Sequence, residues 1–178
     1  MALTLTPDHR QILQRDAERA YPHEGCGLLL GHFNSATDEH CLVRIQLLNN
    51  AWPPNIAENL SALADSALAG SAAPDNAPLT QARRYWIDPK DMLMAQRSAR
   101  AEGLSIIGVY HSHPDHPAIP SECDRKLAWS NYAYLIVSVQ GGHATDLKCW
   151  QLDDHHQFQP SPLTVTDHIT DRISPLNA

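Results

Sequence analysis

Short continuous apolar runs alternate along this chain with segments whose apolar residues recur at helical spacing. TPDHRQILQRDAERA (6–20) predicts a helix. Thr6 can cap its free N–H groups, Pro7 suits the first helical position, and Ile12, Leu13, Ala17 and Ala20 make a narrow apolar face. EGCGLLLG (24–31) is a compact apolar run bounded by glycines, as expected of a buried strand. CLVRIQLL (41–48) predicts a second strand with Val43, Ile45 and Leu47 on one face. Asp88 and Pro89 open another helix, with Asp91 placed for a capping box and Gly103 as the stop. LSIIGVY (104–110) and YAYLIVSV (132–139) are strongly apolar strands, and Ser121 between them caps a helix expected over 122–130. Gly141-Gly142 turns the chain into a strand at 145–152, and PLTVT (162–166) predicts a last edge strand. This order predicts an α/β architecture, a mixed β-sheet sandwiched by helices.

Residues 53–82 break the pattern, being rich in Ala, Pro, Asn and Ser. Ile56, Leu60, Leu63 and Ala67 can form one short amphipathic helix closed by Gly70, and 70–80 read as a mobile loop. The expected organisation is one domain over 1–160 carrying an insertion at 53–82, followed by a tail at 161–178. The length of 178 residues suits that size. A net charge of −7 with no basic run argues against nucleic-acid binding. No apolar run approaches the length of a membrane span, and the start lacks the layout of a secretory signal. The four cysteines form no C-x-x-C and are expected as reduced thiols in a cytoplasmic protein.

Chemistry concentrates in YHSHPDHPAIPSECD (110–124). His111 and His113 flank one residue, so if strand geometry persists both imidazoles leave the same face. Asp124 lies one turn into the next helix and can close on the same point. Two nitrogens and one carboxylate oxygen leave a fourth tetrahedral position for water, the pattern of a catalytic rather than a structural zinc site. Ser112 faces the opposite side, His116 is expected as a rim residue rather than a further ligand, and Cys123 as a small core residue pointing away from Asp124 rather than a soft ligand.

H-S-H-P, then S-E-C-D, with Glu24 upstream, resembles the motif of the JAMM/MPN-domain zinc metallopeptidases: a Glu, H-x-H, seven residues, Ser, two residues, Asp. EGCGLLLG, YWIDP (85–89), GVYHSHPD (108–115) and PSECDRKLAW (120–129) extend the resemblance over roughly residues 6–150. It implies an MPN (cytidine-deaminase-like) fold and one Zn2+ per chain held by His111, His113 and Asp124. Glu24 is then the general base and Ser121 the oxyanion donor, unless Glu24 merely pairs with a basic neighbour and Ser121 merely caps its helix. The resemblance to small bacterial-type members further implies hydrolysis after the C-terminal Gly-Gly of a ubiquitin-like sulfur-carrier protein. Other readings are a general zinc peptidase and a non-catalytic MPN-type scaffold that binds a partner at its sheet edge. Zinc deaminase chemistry wants H-x-E and P-C-x-x-C, which the chain lacks.

Overall fold

A computed structural model describes residues 2–34, 36–52 and 80–167. The expected amphipathic helix near 56–67 and the loop at 70–79 lie outside them. Among the described residues eleven elements follow in order: β1 (Ala2–Leu5), α1 (Pro7–Ala20), β2 (Cys26–Asn34), β3 (Glu39–Leu48), α2 (Pro89–Ala101), β4 (Ser105–Pro114), α3 (Glu122–Leu127), β5 (Ala133–Gln140), β6 (His143–Leu152), β7 (Phe158–Ser161) and β8 (Leu163–Val165). The strands form one eight-stranded mixed sheet in the order β7-β6-β5-β4-β2-β3-β1-β8. β4 lies inside it, antiparallel to β2 and parallel to β5. No helix among the described residues is long and apolar enough to cross a membrane.

The sheet separates two apolar layers. On one face Leu13 and Ala17 of α1 pack with Leu3, Leu29, Tyr110, Leu135 and Val137. On the other, Ala95 and Ala99 of α2 pack with Leu28, Leu30, Val109, Ala128 and Tyr134. α1 starts as its sequence dictates: Thr6 accepts a hydrogen bond from the His9 amide, and His9 closes the box back to Thr6. Its apolar face is narrower than expected, because Ile12 is exposed while Asp16 is buried. Asp16 is kept there by Arg19, at 2.5 Å, and by the Tyr110 hydroxyl, at 3.3 Å. At the start of α2, Asp88 accepts from the Lys90 amide, so that cap rests on Lys90 rather than on Asp91.

Three other expectations change. Val43 does not share a face with Ile45 and Leu47. The β2–β3 register skips it, so Leu42 takes the inward place and Val43 is left exposed. α3 ends at Leu127 rather than 130, because Ala128 is extended. The Trp129 amide and carbonyl are both taken by the Tyr134 hydroxyl, at 2.6 and 3.1 Å, which removes the backbone groups a further turn would need. β1 and β7 were not anticipated. The edge strand expected at 162–166 is β8, which pairs with β1 and carries the sheet to Val165.

β4 and β5 approach closely where Gly108 lies opposite Ala133. A Cβ built on Gly108 would sit 2.2 Å from the Ala133 carbonyl oxygen, a backbone atom that cannot swing aside. Gly108→Ala is therefore expected to cost about 1–3 kcal/mol, the usual scale of overpacking, read as a lower urea midpoint with unchanged m-value. An unchanged midpoint would mean that this strand pair is looser than described.

Candidate functional site

β4 stays extended to Pro114, so strand geometry does persist through H-S-H. His111 pairs with Cys26 on β2 and Ile136 on β5, and His113 with Ser138 on β5. Strand partners on both sides of His111 and on the β5 side of His113 keep the two imidazoles on one face. Ser112 points the other way and is fully buried. Its hydroxyl accepts from the Gly25 amide at 2.8 Å, and its own amide donates to the Gly25 carbonyl at 3.0 Å. Ser112 thus fixes the residue next to Glu24.

Asp124 arrives through a helix cap. Ser121 Oγ accepts from the Asp124 amide at 3.2 Å, and Asp124 Oδ2 accepts from the Ser121 amide at 2.6 Å. This capping box aims the carboxylate at the histidines. The two Nε2 atoms are 3.0 Å apart, with Asp124 Oδ1 3.5 Å from His111 and Oδ2 3.6 Å from His113. One ligand atom from each residue lies within 4.8 Å of the others, and all three side chains are buried.

These residues fit a metal. Zinc bonds of about 2.0–2.1 Å place tetrahedral ligands about 3.3 Å apart, close to the spacings seen here. His113 Nδ1 lies 2.9 Å from the Pro117 carbonyl, which only accepts, so that nitrogen carries the hydrogen. The neutral ring then turns a lone pair on Nε2 towards its partners, the arrangement usual behind a ligating histidine. Tyr85 stacks on His111, with ring centroids 4.5 Å apart and planes 21° apart, and holds that ring in place. Two imidazole nitrogens and a carboxylate are a donor set suited to zinc.

Glu24 sits just before β2, its amide donating to the Gln81 carbonyl at 2.8 Å. It is buried, and Oε2 has no hydrogen-bond partner among the described residues. Burial pushes its carboxyl up to about 8, against the opposing pull of His113, Arg84 and Arg83. Burial also acts to raise Asp124, but there the two imidazoles win and hold the carboxyl well below the usual range. Burial lowers His111, while Asp124 outweighs burial at His113 and raises it. Glu24, His113, His116 and Ser121 line one cavity of about 210 Å³ with Arg83, Arg84, Pro117 and Ile119. His116 is thus at the rim, as expected. Cys123 is half-buried with its thiol raised by burial, and all four cysteines are free.

The sequence did not reveal Asn50, which holds the site's floor. Its Nδ2 donates to the carbonyls of Glu24, at 3.1 Å, and Arg84, at 2.8 Å. Its Oδ1 accepts from the amides of Trp52, at 3.0 Å, and Trp86, at 3.1 Å. Arg83, Arg84 and Tyr85 were also missed as site residues. Only the family-like YWIDP hinted at that segment, since proximity created by a side-chain bridge leaves no periodicity.

Residues 6–153 match the family model of prokaryotic homologs of the JAB domain. The chain belongs to that family. It is 42% identical over 67 residues to a probable TtuB-protein conjugate cleaving protease of Thermus thermophilus, covering 38% of this chain and 43% of that one. It is 32% identical over 83 residues to a desampylase of Pyrococcus furiosus, covering 46% and 56%. The matches thus span about half the length of these curated relatives. A solution structure from Desulfitobacterium hafniense superimposes with a TM-score of 0.68 at 24% identity, covering 96% and 97% of the two chains. One from Salinibacter ruber gives 0.63 at 28% identity, covering 100% and 97%. The mixed sheet between helices expected of a JAMM/MPN member is the fold this JAB-domain chain adopts.

Glu24 supplies a stability test. Folded, it keeps its proton up to about pH 8; unfolded, it releases it near 4.5. Between these values the native state binds more protons than the unfolded one, so its contribution to stability falls as pH rises. In chelator-treated protein, Glu24→Gln is expected to be the more stable form at pH 8, with the gap closing towards pH 4. Urea midpoints across that range measure it, and parallel pH profiles would mean that the Glu24 carboxyl ionises freely.

Proposed function

We propose that the chain is a zinc-dependent metallopeptidase or isopeptidase of the JAMM type. The observation that carries this reading is the convergence of a buried, under-bonded Glu24 and the Ser121 hydroxyl on the cavity beside His111, His113 and Asp124. His111 Nε2, His113 Nε2 and Asp124 would hold one zinc ion. Bound there, zinc would lower the pKa of a water towards 7 and so make a hydroxide nucleophile available at neutral pH.

The chain's own groups do the rest. With the charge of the bound metal opposing its burial, Glu24 would be held as the carboxylate, accept the proton of the attacking water and return it to the leaving amine, the two-stage duty of a general base. Its burial keeps bulk water from competing for that proton. Ser121 Oγ is an acceptor in the helix cap, so its hydrogen stays free to donate to the oxyanion formed at the scissile carbonyl. Capping and oxyanion stabilisation therefore coexist in one hydroxyl. Pro117, through its carbonyl, keeps the His113 ring in the ligating orientation.

The favoured substrate is a ubiquitin-like sulfur carrier cleaved just after its C-terminal Gly-Gly. The names of the curated relatives, one cleaving TtuB-protein conjugates and others called desampylase, support a protein-conjugate substrate. Glycines beside the scissile bond suit a narrow buried site, since a backbone without Cβ approaches closely.

Metal analysis of the purified protein is expected to give one zinc per chain, with most of it lost in His113→Ala and in Asp124→Ala. Glu24→Gln is expected to keep the zinc while turnover falls about 10²–10⁴-fold. Ser121→Ala is expected to lose about 10²–10³-fold in kcat. Full activity of zinc-loaded Glu24→Gln would remove the proposed water activation. A second assay sets a Gly-Gly-extended β-grasp carrier against a random peptide library, read by mass spectrometry. Preference for the carrier is expected; equal cleavage would leave a general peptidase, and no cleavage by a zinc-loaded protein would leave a scaffold.

A further inference from the structure

The loop between β4 and α3 carries the carbonyl that faces His113 and ends at Ser121, yet it has little means of holding its own shape. Its sequence is DHPAIPS (115–121), with Pro114 just before it. Proline has no amide hydrogen, so Pro114, Pro117 and Pro120 leave this stretch with few donors for its own carbonyls. Side chains of the sheet meet three successive carbonyls instead. The His116 carbonyl accepts from Ser138 Oγ at 2.7 Å and from Gln140 Nε2 at 3.2 Å. The Pro117 carbonyl accepts from His113 Nδ1 at 2.9 Å and from the Ile119 amide at 2.8 Å. The Ala118 carbonyl accepts from the indole Nε1 of Trp150 at 3.0 Å, and Ala118 is fully buried.

The outer two of these contacts bracket the one the site uses. The carbonyl before Pro117 is held from β5 and the carbonyl after it from β6, so the Pro117 carbonyl between them has little room to turn from the His113 ring. The donors are themselves well founded. Ser138 is the β5 partner of His113, and Val109, Tyr134 and Trp150 lie side by side across β4, β5 and β6. Paired residues share a face of a sheet, so Trp150 stands on the face that bears the histidines, two strands from β4. There it packs with Tyr134 and Val109 in the apolar layer covered by α2. A buried carbonyl that loses its donor must shift or admit water. Losing the indole N–H would free one end of the bracket, and losing the Ser138 hydroxyl would loosen the other.

We propose that Trp150 and Ser138 are positioning residues for the metal site. By clamping the carbonyls on either side of Pro117 they keep the Pro117 carbonyl on His113 Nδ1, and so they set how tightly the metal is held. Both act through the loop rather than on the reacting atoms. Groups that orient a ligating histidine from behind usually matter about 10–100-fold in metal affinity. This inference rests on the zinc reading above and fails separately from it.

The test removes one donor at a time. Trp150→Phe keeps an aromatic ring and deletes the N–H, and Ser138→Ala deletes the hydroxyl. Competition against a fluorescent zinc chelator is expected to show zinc bound about 10-fold more weakly in each, the lower end of that range. A second readout also needs no turnover: in the zinc-loaded protein, exchange of the His113 Nδ1 hydrogen with water, followed by NMR, should quicken in both variants. Leu42→Ala is the control, a core truncation on β3 in the opposite apolar layer. It should lower the urea midpoint while zinc affinity and the His113 exchange stay unchanged. A residue whose variant binds zinc normally is struck from the clamp, and normal binding by both variants overturns the proposal. Equal weakening in Leu42→Ala overturns it too, because affinity would then follow stability alone. If Trp150→Phe fails to fold, Ser138→Ala decides. Failure of the unmodified protein to bind zinc overturns the metal reading itself.

Discussion

The site depends on β4 being paired with β2 as far as His111 and with β5 as far as Pro114. Side chains on a strand alternate with a period of two, so a slip of one residue against either neighbour would exchange His111 and His113 for Tyr110 and Ser112. The ladder to β5 runs from Gly108 to Pro114, and the ladder to β2 ends at His111 opposite Cys26. Beyond that point β2 has not yet begun, and the gap it leaves is filled by Gly25, held through Ser112, and by Glu24. A buried acid thus stands beside the end of the imidazole-bearing strand because one neighbouring strand starts there.

Two buried carboxyls then diverge because their surroundings differ. Asp124 has two imidazoles and a backbone amide facing it and stays ionised despite burial. Glu24 has one oxygen facing no partner and keeps its proton to unusually high pH. Opposed environments for two acids in one cleft separate a fixed anion from a proton carrier. The capping box makes this economical, since the two bonds that satisfy the orphan amides at the start of α3 also aim the Asp124 carboxylate.

What the sequence disclosed was whatever local rules express. Thr6-Pro7 and S-x-x-D are capping signals within four residues, and the apolar runs of β2, β4 and β5 are long enough to be read alone. β1 was not legible because ALTL is four residues long and is a strand only through parallel partners on both sides, β3 and β8. The early end of α3 was hidden because its cause is the Tyr134 hydroxyl on another strand. Val43 was misplaced because the bulge that interrupts the alternation is on β3, while the glycine beside it, Gly31, is on the partner strand. In the site, His111, His113, Ser121 and Asp124 lie within one loop and its helix cap. Arg84 reaches the same cavity only through Asn50, a residue with no local motif.

Asn50 has a consequence for the stretch at 53–79. Residues on either side of it are fastened to one another: Trp52 and Trp86 share the Asn50 oxygen, Gln81 Nε2 donates to the carbonyls of Asn50 and Trp52, and the Ala51 amide donates to Trp86. When both feet of an excursion are bolted to one plinth, its closure entropy grows only with the logarithm of its length. Mutation can therefore lengthen, shorten or rewrite that excursion while the ground under Glu24 stays where it is. The knot around Asn50 thus insulates the reactive groups from changes in the sequence between its two fastened ends.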